Sequence, residues 1–324
     1  MRAWIVKRLI EIIPTFFGIT LISFAILHLA PGKPTDVLTE MNPKITPEAR
    51  LRLEKYYGLD KPLHEQYLLW LKRVVKLDFG ESFASDHRPV WDKIIERLPV
   101  TIILNLISMA LMLAIAVPVG VSSAVRAYSL YDKITTVIVF IGFAAPAFWI
   151  ALLLMMFFGV TIDLLPISGL KSMDHDTMGF WGKTWDYARH IALPVFAGTI
   201  GSVAGLSRYM RSNMLEVVRQ DFITTARAKG LSERVVIYRH AMRNALLPVI
   251  TILGLSVPGL IGGSVIMENI FGIPGMGQFF YQALMTRDYP SIMGVLTIGA
   301  ALTLAGNLLA DLGYAASDPR IRAR

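Results

Sequence analysis

Cysteine is absent from this chain of 324 residues, which excludes disulfides and thiolate metal sites. Charge is scarce as well. Only 17% of residues are Asp, Glu, Lys or Arg against 54% apolar, and mean hydropathy is +0.53, a balance that a soluble domain of this length would rarely tolerate. The gaps in charge are long. No Asp, Glu, Lys or Arg lies between Glu11 and Lys33, Arg97 and Arg126, Lys133 and Asp163, His190 and Arg208, Arg243 and Glu268, or Asp288 and Asp311. A helix needs roughly 17 to 25 apolar residues to cross hydrocarbon, so six crossings are expected and both termini fall on one side.

What the apolar stretches exclude is as informative as what they allow. Glu11 and Asp311 stand at one end of their spans, Asp163 and Glu268 at the other, and none of these lies near the middle. Ion-coupled transporters and proton pumps use an ionisable group inside the bundle, so the chain shows no internal means of harvesting an ion gradient. Asn105 and Asn307 are the polar candidates left, each explicable as a bond to a neighbouring helix. Three catalytic signals also fail. Gly182-Lys183-Thr184 imitates the end of a phosphate-binding loop, but Thr177 occupies the place of its first glycine. Asp174-His175-Asp176 has the composition of a metal site, yet three consecutive residues cannot converge on one ion from regular structure, and a solvated loop is the expectation. No Ser, His and acid set has supporting context. Neither an enzyme nor a cofactor or metal site is expected in this chain, and nucleic acid is not an expected partner.

Orientation follows from the basic residues. With the N-terminus cytoplasmic, sixteen lysines and arginines fall on the inside (Arg2, Lys7 and Arg8, Arg126 and Lys133, eight between the fourth and fifth spans, and Arg320, Arg322 and Arg324), against Lys171, Lys183, Arg189 and Arg287 in the short outside loops. That is a positive-inside bias. Residues 1–30 resemble a signal peptide only superficially, because the run is long and Pro31 follows it directly; a retained anchor helix is expected. Residues 31–97 form an external helical segment, with one helix starting at Thr46-Pro47-Glu48 and stopping at Gly58. A second helix opens at Pro62, with Leu63, Tyr67, Trp70, Leu71 and Val74 on one face for the rims of the spans or for a docked external protein. The core occupies 98–311, with spans at about 98–125, 134–162, 191–207, 244–267 and 290–311, a cytoplasmic loop at 208–246 and a tail at 312–324. Pro118, Pro146, Pro194, Pro248 and Pro258 perturb the spans, and Gly201 with Gly205, and Gly259 with Gly263, have the spacing for close helix approach. Several kinked helices together favour a gated pathway over a passive anchor.

The loop between the fourth and fifth spans is the most distinctive stretch. From Arg208 to Pro248 it sets eight basic residues (Arg208, Arg211, Arg219, Arg227, Lys229, Arg234, Arg239, Arg243) against Glu216, Asp221 and Glu233. Its first half spaces Met210, Met214, Leu215, Val218, Phe222 and Ala226 helically, Gly230 supplies a left-handed helix stop, and Ser232 offers an N-cap. The second half places Val235, Tyr238, Met242 and Leu246 on one face, with Arg234, Arg239 and Arg243 away from it. Such a hairpin is either a rigid basic knob that docks on a partner or an amphipathic element lying on anionic lipid.

Thr224-Thr225-Ala226-Arg227-Ala228-Lys229-Gly230-Leu231-Ser232, followed by Arg239-His240-Ala241-Met242-Arg243-Asn244-Ala245-Leu246-Leu247-Pro248, resembles the EAA loop of ABC importer permeases in the form used by the dipeptide/oligopeptide-type subfamily. Further matches span nearly the whole chain: Ala30-Pro31-Gly32 with Pro34, Tyr57-Gly58-Leu59-Asp60-Lys61-Pro62, Asp78-Phe79-Gly80 with Ser82, Pro274-Gly275-Met276-Gly277, Arg287-Asp288-Tyr289-Pro290 and Asp318-Pro319-Arg320-Ile321-Arg322. There are departures. Thr224-Thr225-Ala226 replaces the general Glu-Ala-Ala, and Pro248 lies further beyond Gly230 than in sugar importers, both as in the peptide-type subfamily. Lys33 stands where the family has an acidic residue, a change without a mechanistic explanation.

The resemblance implies an all-α polytopic membrane protein with six transmembrane helices, a type I ABC importer permease fold and a small external helical segment. It implies a permease subunit of an ATP-driven importer in a bacterial or archaeal inner membrane, forming half of a pathway for di- or oligopeptides. The implied partners are a sister permease, two ATP-binding subunits that hold ATP and Mg, an external solute-binding protein and membrane lipid. Residues Thr224 to Ser232 would be the loop that couples to an ATPase. Nickel chelates, glutathione and oligosaccharides remain open as alternative cargoes, and an ion-driven secondary transporter or a membrane scaffold as alternative classes. No residue is assigned to substrate.

Overall fold

The structure is a computed structural model that describes residues 2–29, 55, 58–256 and 259–317. Regular structure among the described residues is helical, apart from one antiparallel bridge between Glu81 and Pro89. In chain order the helices are α1 (Arg2–Leu29), α2 (Leu63–Val74), α3 (Val90–Val125), α4 (Leu130–Ala144) and α5 (Ala147–Leu154), which continues as a π-helical turn over Met155–Thr161. Then come α6 (Phe180–Val218), α7 (Asp221–Ala228) and a composite α8 made of Glu233–Val235, a π turn Val236–Ala241 and Met242–Ala245. The last are α9 (Leu247–Ser256), α10 (Gly259–Gly262), α11 (Val265–Ile270), α12 (Met276–Met285) and α13 (Tyr289–Ser317).

Among the described residues, four helices are long and apolar enough to cross a membrane: Lys7–Leu29 of α1, α3, α6, and Tyr289–Asp311 of α13. The pair of α4 and α5 with its π turn, bent by 101°, is long and apolar enough when its two parts are taken together. Pro146 causes the bend, because proline drives the residue before it out of the helical region, and Ala145 is extended at ψ 130°. The sixth apolar stretch, 244–267, is helical but discontinuous, and none of its pieces crosses alone. Pro248 stands at its start and glycines at 259, 262 and 263, the last at φ +66°. Asn105 Nδ2 donates to the Leu260 carbonyl at 2.8 Å, satisfying a backbone group that the broken helix cannot. Pro258, the helix expected from Thr46, the motifs around Ala30 and Pro34, Tyr57, and the tail from Asp318 lie outside the described residues.

The chain forms two compact units. In the first (1–101, 261–265 and 274–324), α1 packs antiparallel to α13: His28 meets Tyr289 at 5.5 Å between ring centroids, and Arg8 pairs with Asp311 at 3.3 Å. The amphipathic α2 lies on α1, with Tyr67 Oη 3.0 Å from Thr20 Oγ1 and its ring against Phe24. Tyr67, Trp70 and Leu71 of the expected apolar face are half-buried, Leu63 is exposed, and Val74 joins a core of Phe79, Val90, Ile94, Met276 and Phe279. Gly294 and Gly277 set two close approaches. A Cβ on Gly294 would sit 2.7 Å from Val90 Cγ1, and one on Gly277 2.7 Å from the Val265 nitrogen and 2.8 Å from the Ser264 carbonyl carbon.

The second unit (102–260 and 266–273) is built on α3, α4 and α6. The expected glycine contact is not at Gly201, Gly205 or Gly259, around which a Cβ would meet nothing within 4 Å; it is at Gly120, where a Cβ would lie 2.7 Å from both Met210 Cβ and the Ser207 carbonyl. Four-residue spacing permits approach, and the facing helix decides where it happens.

Candidate functional site

The basic hairpin is the site the sequence singles out, and its construction begins at the end of α6. That helix runs to Val218, a break follows at Arg219–Gln220, and α7 restarts at Asp221. The break resets the helical phase. Ile223 and Ala226 are buried instead of Phe222 and Ala226, and Phe222 is 38% exposed. α7 stops at Ala228, and Gly230 follows at φ +75° with its amide bonded to the Arg227 carbonyl at 2.9 Å, the left-handed stop expected of glycine. Ser232 occupies the N-cap of α8, but its side chain caps nothing. The π turn over Val236–Ala241 then inserts an extra residue, which rotates the inward face. Val236, Ile237, Ala241 and Ala245 are buried, whereas Tyr238, expected inside, is 53% exposed.

These inward side chains form one core with Met210 and Met214 of α6 and Ala116, Val121 and Ala124 of α3. The hairpin's inward apolar side chains are thus covered by its own chain, while Phe222, Leu231 and Tyr238 stay exposed. Of the nine motif residues, Ala226 is buried in that core, while Thr224, Thr225, Arg227, Ala228, Lys229, Gly230, Leu231 and Ser232 are exposed. Arg227 clasps Glu233 across the turn, Nη2 to Oε1 at 2.7 Å and Nε to Oε2 at 3.2 Å. The guanidinium's hydrogen bond, set against a small desolvation penalty, holds the Glu233 carboxyl below its usual range and raises Arg227.

Two of the eight basic residues are engaged by α4. Arg211 Nε and Nη2 each donate at 2.7 Å to the buried Asp132 at the start of α4, and Arg208 stacks 5.3 Å from the centre of the Phe140 ring. Sequence reasoning missed Asp132, whose charge at a loop end looks unremarkable until its partner is known.

Two further clusters explain other motifs. In the first unit, Asp288 is buried and accepts from Ser82 Oγ at 2.5 Å, Phe83 N at 3.0 Å and Ser291 Oγ at 2.6 Å. Lys93 Nζ donates to Ser82 at 2.9 Å and to Asp86 at 2.6 Å. The motifs around Gly80 and Asp288 are therefore two halves of one buried polar clamp, and Asp288 also caps α13 through the Ser291 amide at 3.3 Å. Met276 of the motif at 274–277 donates its amide to Thr101 Oγ1 at 2.8 Å. In the second unit, the stretch 174–176 is not simply a solvated loop. His175 is buried, with Nδ1 2.7 Å from Asp186, which also accepts from the Ser172 amide and hydroxyl, while Asp176 is exposed and paired with Lys171. Gly182, Lys183 and Thr184 lie in the first turns of α6.

Comparison with known proteins agrees with this architecture. The protein-family profile described as "Binding-protein-dependent transport system inner membrane component" matches residues 116–323, and a profile for the N-terminal part of such membrane components matches residues 1–105. The chain is 45% identical over 321 residues to the oligopeptide transport system permease protein AppB of Bacillus subtilis, covering 99% of each chain. It is 38% identical over 339 residues to the dipeptide transport system permease protein DppB of Escherichia coli K12, again covering 99% of each. Among solved structures it is similar to a chain of the inward-facing MetNI methionine ABC transporter, with a TM-score of 0.50 and 16% identity over 68% of this chain and 95% of that one. That likeness concerns the fold, a type I importer permease. Matches that begin inside α3 and run to the C-terminal tail, with identity well sustained over full length, settle the identification: the chain belongs to the binding-protein-dependent transport system inner membrane component family, multi-pass transporter permeases rather than catalytic enzymes.

Proposed function

We propose that this permease carries di- or oligopeptides and takes its driving force from cytoplasmic ATPase subunits through the exposed turn at Thr224 to Ser232. The observation that carries the coupling role is the hairpin's division of labour. Its apolar side is packed against α3 and α6, and its polar turn, with Arg227 tied to Glu233, stands exposed. A partner that moves the turn moves the ends of α3 and α6 with it, which is how nucleotide binding could shift a packed bundle between two arrangements. ATP and Mg belong to those partner subunits. A sister permease supplies the other half of the pathway, an external solute-binding protein delivers cargo, and both termini are cytoplasmic, in keeping with the distribution of arginine and lysine. The peptide cargo is supported by the names of the full-length relatives, which are transport permeases for oligopeptides and dipeptides.

Gly230 offers the test. A Cβ there would meet nothing within 4 Å, so a side chain fits the hairpin sterically and the strain of φ +75° is about 1 to 2 kcal/mol. Gly230→Ala and Gly230→Trp share that strain and differ in bulk on the exposed turn. In the reconstituted importer, Gly230→Trp should lower peptide uptake by more than about tenfold while Gly230→Ala retains most of it. Equal uptake by the two variants would end the docking reading.

A further inference from the structure

The stem of the hairpin carries a contact that docking does not use. Asp132, in the first turn of α4, has both carboxylate oxygens filled: Arg211 Nε and Nη2 donate at 2.7 Å each, and the Tyr128 amide donates at 2.9 Å. The carboxylate is buried, while Arg211 is partly exposed on α6. A guanidinium fork on a carboxylate fixes distance and angle together, which a single hydrogen bond or an apolar contact does not.

We infer that the Arg211–Asp132 fork is the link that passes movement of the hairpin to α4, so that both are positioning residues for transport. The inference rests on the hairpin being the handle for an ATPase. Three features of the second unit support it. Two other α4–α6 contacts, Phe140 beneath Arg208 and Gly142 facing Ile200, where an added Cβ would lie 3.1 Å from Ile200 Cγ2, are non-directional and allow sliding. The same carboxylate also holds the turn that begins α4: Tyr128 has φ +66°, a conformation that a tyrosine adopts only at a cost of roughly 1 to 3 kcal/mol and that its amide bond to Asp132 maintains. Finally, α4 leads straight into the 101° bend at Pro146, so a rotation imposed at Asp132 swings α5 sideways instead of merely turning it about its axis. The fork is placed where a small displacement has a long arm.

The absence of cysteine makes the measurement direct. Spin labels at Gln220→Cys, in the break between α6 and α7, and at Ile141→Cys, an exposed position on α4, report hairpin and span in the assembled importer in nanodiscs. With Arg211 and Asp132 intact, the distance between the labels should stay the same in the nucleotide-free and vanadate-trapped states. With Asp132→Asn it should shift or broaden on trapping, uptake should fall by about tenfold and ATP hydrolysis should stay within about twofold. Arg211→Lys keeps the charge and loses the fork, so it should fall between the two. A purely structural role would instead lower hydrolysis and uptake together through poor assembly, and that outcome overturns the inference, as does an unchanged distance with unchanged uptake. If Asp132→Asn does not assemble, Arg211→Lys alone decides, by the same distance and by the ratio of uptake to hydrolysis. If Gly230→Trp abolishes uptake while the fork variants leave it intact, the link fails and the docking reading survives; if Gly230→Trp is neutral, both fall.

Discussion

The clamp at Asp288 in the first unit closes on hydrogen-bonded charge, while the hairpin of the second unit closes on apolar packing. In the first, Asp288, Ser82, Lys93 and Asp86 form a chain of hydrogen bonds, and Gly277 and Gly294 admit the Ser264–Val265 backbone and the Val90 side chain with no slack. In the second, the hairpin interior is Met210, Met214, Ile223, Val236 and Ala241, side chains that can adjust to one another, with the Arg227–Glu233 pair at the exposed turn and Arg211 reaching from the stem to the buried Asp132. A buried polar chain with every partner in place tolerates one geometry, because each misplaced group is left unsatisfied at full desolvation cost. An apolar core tolerates several arrangements at graded cost. The polar clamp of the first unit and the hairpin of the second are thus built from different interactions.

Substitutions that break this contrast should rank accordingly. Gly277→Val would drive a branched side chain into the backbone of Ser264 and Val265, which has no rotamer to yield, so loss of folded protein in the membrane fraction is expected by detergent-solubility chromatography. Asp288→Ala strips Ser82 and Ser291 of a buried acceptor and should lower stability by about 3 kcal/mol, read as a depressed thermal midpoint of the purified complex. A midpoint within a degree of wild type would mean that the clamp is not what holds this unit. Ile223→Val removes one methylene from the hairpin core and should cost only about 1 kcal/mol, visible as faster amide exchange over 221–241 with assembly retained. The smallest effect should come from pH. The Glu233 carboxyl is held below its usual range by Arg227, so the clasp is at full strength above about pH 4.3, the ordinary glutamate value, and is lost as pH falls through the lower folded-state value. Amides around Gly230 should then lose protection in acid, and Glu233→Gln should remove that dependence. Persistence of the dependence in Glu233→Gln would assign it to another group.

Some of this is legible from residue order because it depends on neighbours along the chain. Gly230 is recognisable as a helix stop since few other residues take φ near +75°, and Pro146 marks the bend between α4 and α5 for an equally local reason. The facing of the hairpin is not legible in the same way. A restart at Asp221 and a π turn from Val236 shift the buried positions to Ile223, Val236 and Ile237, and neither shift is announced by composition. The pairing of distant motifs is hidden more deeply. Ser82 and Asp288 are 206 residues apart, and Asp132 and Arg211 are 79 apart. In one dimension the first pair reads as two unrelated loop motifs and the second as one stray acid and one of eight basic charges.

By itself the order of residues determined the solvent, the helical class and the position of the hairpin, because hydrophobic run length, charge spacing and glycine conformation act within a turn or two of chain. Tertiary structure alone decided which face of the hairpin is inward, which glycine admits a neighbouring helix and which arginine serves α4. Those outcomes depend on atoms brought together from far along the chain, where the phase of each helix, and not the identity of any one residue, selects the partner.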